Sequence, residues 1–243
     1  PSDDIIKYSE ERSGKKVEKI AADVDAEYEK IYDIDFSSFV NRVSRPGKPH
    51  DAVTIESVKK TKIDSAFIGS CTNGRIDDMR AAANILKNRK IAPGVVLKIV
   101  PATNEVWLQC LEEGIIKIFK DAGALVSNPG CAGCAAGQVG QNGPGEITIS
   151  TGNRNFPGKQ GKGEVYLASP ETVAASAVAG YITTPGEIPD EPAIFTPKEK
   201  AEKAKKAKEQ KKAADKRPAV IEGRVWYIKE DNIDTDMIYH NRY

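Results

Sequence analysis

Between residues 63 and 182, short apolar runs alternate with stretches whose apolar residues recur every three or four positions. That alternation predicts βα units around a mostly parallel sheet. The runs 63–68, 95–100, 124–127, 147–150 and 165–168 read as strands, and 76–86 and 104–119 as amphipathic helices. Pro170 suits the first turn of a further helix, with Ala174, Ala175, Val178 and Ala179 as its packing face. The expected fold class is α/β, a three-layer α/β/α domain over residues 61–190.

The flanks read differently. Residues 1–60 are polar and mixed, with a short helix near 4–12, an extended run over 28–40, and two prolines in 45–50 that disfavour helix. They predict an arm at the end of a preceding domain, with little core of its own. Residues 191–218 are bounded by prolines and rich in Lys, Ala and Glu, which predicts a linker, either a solvated helix or a disordered connector. Residues 219–243 begin a strand-like alternation and a turn at Asp231-Asn232-Ile233-Asp234, then stop before a core could close. Pro1 in place of methionine and the end at Tyr243 point to a piece of a longer polypeptide.

Charge sharpens this division. The formal net charge is +1, yet residues 198–217 hold ten Lys or Arg against four Asp or Glu, which leaves the remainder net acidic by five. The basic stretch has no aromatic residue, so it lacks the interleaving expected of a nucleic-acid face. No apolar run approaches the roughly 18 residues that span a bilayer, and the N-terminus has no signal-peptide pattern. The expected location is the cytoplasm, or the mitochondrial matrix in a eukaryote.

Four cysteines in 243 residues do not resemble a secreted disulfide framework, and Cys131 and Cys134 form a C-x-x-C pair. Three motifs follow predicted strands: Gly69-Ser70-Cys71-Thr72-Asn73-Gly74-Arg75, Pro129-Gly130-Cys131-Ala132-Gly133-Cys134, and residues 152–159, which contain Asn153, Arg154, Asn155 and Lys159. Ligands of open α/β sheets bind beyond the carboxyl ends of the strands, so these loops are expected to converge. Soft thiolates take zinc, copper(I) or an iron-sulfur cluster, and glycines beside them let the backbone approach a bulky inorganic core. Arg154 and Lys159 supply positive charge for a carboxylate, which a guanidinium binds through two parallel hydrogen bonds.

Cys110 separates a three-thiolate site from a four-thiolate one. It falls inside the predicted helix, beside an apolar face of Trp107, Leu111 and Ile115, where a free cysteine acts as a small buried hydrophobe. Three thiolates on a cluster leave one metal position open, as a Lewis-acid site needs. A structural zinc module using all four cysteines is the rival of another class.

Taken together, GSCTNGR, PGCAGC and GNRNFPGK resemble the cluster and substrate motifs of the aconitase family, in that family's order. Val100-Pro101-Ala102-Thr103 and Glu112-Glu113-Gly114 add to a likeness that covers about residues 25–190. The resemblance implies a 4Fe-4S cluster on Cys71, Cys131 and Cys134, with Asn153, Arg154 and Lys159 at substrate positions. Lys159 stands where the family usually has arginine, which keeps the charge and gives up the planar fork. The segment Gly223-Arg224-Val225-Trp226 with residues 231–236 resembles the opening of the family's swivel domain.

By the same resemblance the chain is part of a hydro-lyase that moves a hydroxyl between adjacent carbons of a small polycarboxylate. The fused arrangement tilts the expectation to aconitate hydratase acting on citrate and isocitrate, with 3-isopropylmalate dehydratase or homoaconitase as the alternative. The family's catalytic serine and histidine-carboxylate groups would lie outside these residues, so no catalytic residue is expected within the chain, and neither His50 nor His240 matches a catalytic motif. The expected partners are the substrate and the remaining domains of the same enzyme, with no membrane and no nucleic acid. An inactive RNA-binding relative is the remaining rival.

Overall fold

The structure is a computed structural model that describes residues 1–193. The basic segment 198–217 and the swivel-like residues 219–243 lie outside the described residues. Five parallel strands form the body of the sheet: β3 (Ser65–Gly69), β4 (Val96–Val100), β5 (Leu125–Val126), β6 (Ile147–Ser150) and β7 (Glu164–Leu167). A hairpin of β1 (Arg42–Ser44) and β2 (Ala52–Thr54) adds antiparallel to β7, giving the order β2-β1-β7-β6-β3-β4-β5. The predicted α/β class and mostly parallel sheet are what the molecule has.

Strand β3 is buried along its whole length, and its alternation divides the core. Ala66 and Ile68 point into the main core, among residues of α3 (Ile76–Leu86), α5 (Ile115–Ala122) and α6 (Pro170–Ala179). Helix α3 packs against both α5 and α6, so the three helices line one face of the sheet. Phe67 points the other way, onto Val100, Ala132 and Val139. The second face is therefore covered by the crossover from β5 to β6, an irregular segment with one 3-10 turn at Ala132–Cys134, rather than by a layer of α-helices. Burying a ring such as Phe67 contributes about 1.5–3 kcal/mol, which makes this crossover part of the fold and not an ornament on it.

Two helical expectations change. The predicted helix over 104–119 is two helices, α4 (Asn104–Glu112) and α5, because Gly114 sits at φ 74° and stops the helical ladder between them. Within α4, Cys110 is buried, while Leu111 is exposed. Helix α6 buries every residue from Thr172 to Ala179, all around its circumference, which its small side chains allow. Ser169 Oγ accepts from Thr172 N at 3.4 Å to cap its start, and Pro170 occupies the first turn.

Part of the predicted arm also belongs to the sheet. The helix near its start is α1 (Asp3–Ser13), which has no buried residue, and 28–40 forms no strand. Residues 42–55, by contrast, place Val43 and Ile55 in the core. Arg45 closes the hairpin turn, donating to Asp51 through Nε at 3.0 Å and Nη2 at 2.9 Å. No helix among the described residues is long and apolar enough to cross a membrane.

Candidate functional site

The chain leaves β3, runs outward through β4 and β5, then returns to place β6 on the other side of β3. A sheet whose order reverses in this way has a crevice at the reversal, above the carboxyl ends of the two strands. The loop after β3, the β5–β6 crossover and the loop after β6 all reach that crevice.

Strand β3 ends at Gly69, with φ 132°, where an added Cβ would lie 1.9 Å from the carbonyl oxygen of Val100. Only glycine lets the two strand ends come so close. Ser70 follows, buried and at φ 67°, a conformation rare for a residue with a side chain and one that surrounding contacts must enforce. The chain then turns through the short helix α2 (Ser70–Asn73) and presents Cys71 to solvent.

The loop after β6 supplies the enforcing contacts. Thr151 N donates to Phe67 O at 2.9 Å, Gly69 N donates to Thr151 Oγ1 at 2.8 Å, and Asn73 Nδ2 donates to Thr151 O. One residue beyond Gly152, Asn153 Nδ2 donates to Thr72 Oγ1 at 3.3 Å. Arg154 is exposed and has no side-chain hydrogen bond or ion pair among the described residues.

Helix α2 packs on the 3-10 turn Ala132–Cys134, which brings Cys71 to the C-x-x-C pair. Ala132 is at φ 49°, so each cysteine segment has a strained non-glycine neighbour, Ser70 before Cys71 and Ala132 after Cys131. Cys131 is exposed and Cys134 half-buried. Burial pushes the Cys134 thiol up, the Lys159 ammonium opposes this, and the neighbouring Cys131 and Cys71 thiols add to the rise. Lys159 Nζ donates to the Cys134 carbonyl oxygen at 3.4 Å and lies 6.0 Å from the Phe156 ring centroid.

Cys110 stands apart. It lies in the main core, its thiol is pushed up to about 11 by burial, and its charged neighbours are Glu113 and Arg80. Among the described residues, no three His, Cys, Asp or Glu side chains are grouped tightly enough to hold one metal ion. Three accessible or half-accessible soft thiols on glycine-rich turns fit an iron-sulfur core.

Asn155 does not join the site. It is 3% exposed, and its Nδ2 donates to Arg45 O at 2.7 Å and Val165 O at 2.9 Å, fastening the loop to the hairpin turn after β1 and to β7. Its Oδ1 has no hydrogen-bond partner among the described residues. Thr151, Gln141 and Gln160, which the motifs alone do not single out, supply most of the hydrogen bonds that hold the three loops. Their one sequence signal is position, each being polar at the end of an apolar run or beside a glycine.

Comparison with known proteins gives the same picture. The model of the aconitase family (aconitate hydratase) matches residues 56–180. A probable 3-isopropylmalate dehydratase large subunit of Methanothermobacter thermautotrophicus is 46% identical over 190 residues, 77% of this chain and 45% of that protein. The 3-isopropylmalate dehydratase large subunit of Acetivibrio thermocellus is 46% identical over 185 residues, 75% of this chain and 44% of that one. Large subunit 2 of the same enzyme from Archaeoglobus fulgidus is 48% identical over 171 residues, 70% and 41% of the respective chains. The chain thus spans less than half the length of these relatives, and through the residues that build its cysteine crevice it belongs to the aconitase family.

Proposed function

We propose that this chain is the cluster-bearing part of a hydro-lyase acting on 3-isopropylmalate, with Cys71, Cys131 and Cys134 holding a 4Fe-4S cluster. The observation that carries this reading is the packing of α2 on the Ala132–Cys134 turn, which gathers three thiols from distant parts of the sequence at one sheet crevice. When bound, a cluster with three protein ligands supplies one iron with a free position, a Lewis acid for a substrate hydroxyl.

The chain's own residues orient the substrate. Arg154, uncommitted within the described residues, would clamp a carboxylate through its planar fork. Asn153, fixed by Thr72, would present its amide carbonyl and remaining N–H beside Cys71. Lys159, bonded to the Cys134 carbonyl, would add a positive charge at the cluster's edge rather than a second fork. A hydroxyl and the proton of the adjacent carbon leave as water and return in exchanged positions. The base that takes the proton would come from the remaining domains of the enzyme or its small subunit.

The names of the relatives favour 3-isopropylmalate over citrate and isocitrate, so the tilt drawn from the fused arrangement gives way to the alternative. Aconitate hydratase is the second reading, favoured by the description of the matching family. Anaerobic reconstitution of the intact protein, followed by assays on both substrates, separates them. We expect about four irons and four acid-labile sulfides per chain, turnover of 3-isopropylmalate, and loss of both cluster and turnover in Cys131→Ser. A Cys131→Ser protein with full iron content and activity would remove the ligand assignment, and preference for citrate would remove the substrate.

A further inference from the structure

Gln160, one of the side chains that hold the three loops, sits where the site's two halves meet. The residue is 4% exposed. Oε1 accepts from Ser150 Oγ at 2.9 Å, at the end of β6, and Nε2 donates to Gly140 O at 3.0 Å in the cysteine crossover. Its backbone carbonyl accepts from Asn142 N at 3.0 Å.

The amide also lies against Gly133, one of the two residues between the paired cysteines. A Cβ on Gly133 would come within 3.1 Å of Cδ, Cγ and Nε2 of Gln160. The turn is braced from its other side, where Gln141 Nε2 donates to Gly133 O and Lys98 Nζ donates to Gln141 O at 2.9 Å. Lys159, next in the chain, donates to Cys134 O. A buried amide with both ends bonded has one orientation, and it transmits the position of β6 to whatever rests on it.

We infer that Gln160 is a positioning residue that holds the Cys131–Cys134 turn at a set distance from β6 and thereby from the 152–159 loop. This rests on the reading of the cysteines as cluster ligands. An apolar side chain of equal volume would fill the space but leave the Ser150 O–H without its acceptor and the Gly140 carbonyl without its side-chain donor, and the turn could then settle elsewhere. Groups that orient metal ligands from behind usually matter about tenfold or more for retention of the metal.

The test compares wild type, Gln160→Met and Cys131→Ser, each as the intact protein reconstituted anaerobically. The measurements are the electron paramagnetic resonance line shape, the rate of iron release in air, and the melting temperature of the iron-free protein. We expect Gln160→Met to assemble a cluster with a shifted line shape that releases iron about tenfold faster, whatever its melting temperature. A purely structural role would lower the melting temperature and leave line shape and release rate within about twofold of wild type, well short of the effect expected for such a group. That result overturns the inference. If Gln160→Met does not fold, Ser150→Ala, which frees Oε1 together with the Gly152 N–H that donates to Ser150 Oγ, is held to the same two outcomes. Should Cys131→Ser retain the wild-type cluster, the underlying ligand reading fails instead.

Discussion

Asn153 reaches across from the loop after β6 to donate its amide to Thr72 Oγ1 at 3.3 Å, and that oxygen lies 3.7 Å from Cys71 Sγ. A residue expected to meet the substrate is thus fastened to the neighbour of an expected cluster ligand. The loop after β6 and the cysteine segments are joined at this point, as they are again at Lys159 and Cys134.

Breaking that tie should reduce turnover without unfolding the protein, since both side chains are exposed. Asn153→Ala and Thr72→Val are each expected to lower kcat/KM about fivefold, the effect of one neutral hydrogen bond near 1 kcal/mol. Because they remove the same bond, the double variant should be little worse than either single one. Fully multiplicative losses in steady-state kinetics would show that the two residues act separately.

Two glycines with positive φ provide a controlled comparison. Gly94 (φ 86°) has nothing within 4 Å of a built Cβ, whereas Gly69 would drive one to 1.9 Å from Val100 O. Gly94→Ala should cost about 1–2 kcal/mol, the conformational penalty alone. Gly69→Ala adds a backbone collision between two central strands and should exceed about 4 kcal/mol, in the range reserved for severe lesions. Urea unfolding of both variants measures the difference, and equal costs would mean that β3 and β4 can separate freely at their ends.

Helices α3 and α4 are joined by Arg80, which donates to Glu113 through Nη2 at 2.6 Å and Nε at 2.9 Å. The guanidinium hydrogen bond holds the Glu113 carboxyl below its ordinary value, against the opposing effect of burial. A carboxyl depressed in the folded state stabilises above its unfolded pKa of about 4.3 and loses that contribution as pH falls through the lower folded value. Stability should therefore drop on acidification below that point, and Glu113→Gln should flatten this part of the profile. A Glu113 titration by NMR at or above the ordinary carboxylate value would contradict it.

The cysteines should differ in reactivity once iron is removed. With its thiol near 11, Cys110 is roughly one part in a thousand thiolate at pH 8 and is buried, while Cys71 and Cys131 are exposed. Brief alkylation of iron-free native protein should label Cys71 and Cys131 well before Cys110, as read by peptide mass spectrometry. Equal labelling of Cys110 would place it outside the core.

Local chemistry decided much of this molecule before any tertiary contact formed. The period of the apolar residues is a property of neighbours in sequence, so 76–86 reads as a helix and 147–150 as a strand, as both are found. The motifs likewise name the thiols and charges, because glycine and cysteine announce their chemistry wherever they stand. What depends on distant partners was not legible. The three-residue strands of the β1–β2 hairpin are too short to show a period, and they exist because β7 offers them an edge. The burial of Cys110 and the exposure of Leu111, neighbours in α4, are decided by what packs against that helix and not by its period alone. Asn155 looks like its neighbour Asn153 until the fold buries one and exposes the other. Gln160 acquires its place only when β6 and the cysteine crossover close on it, since a hydrogen bond between residues far apart in the chain has no local cause.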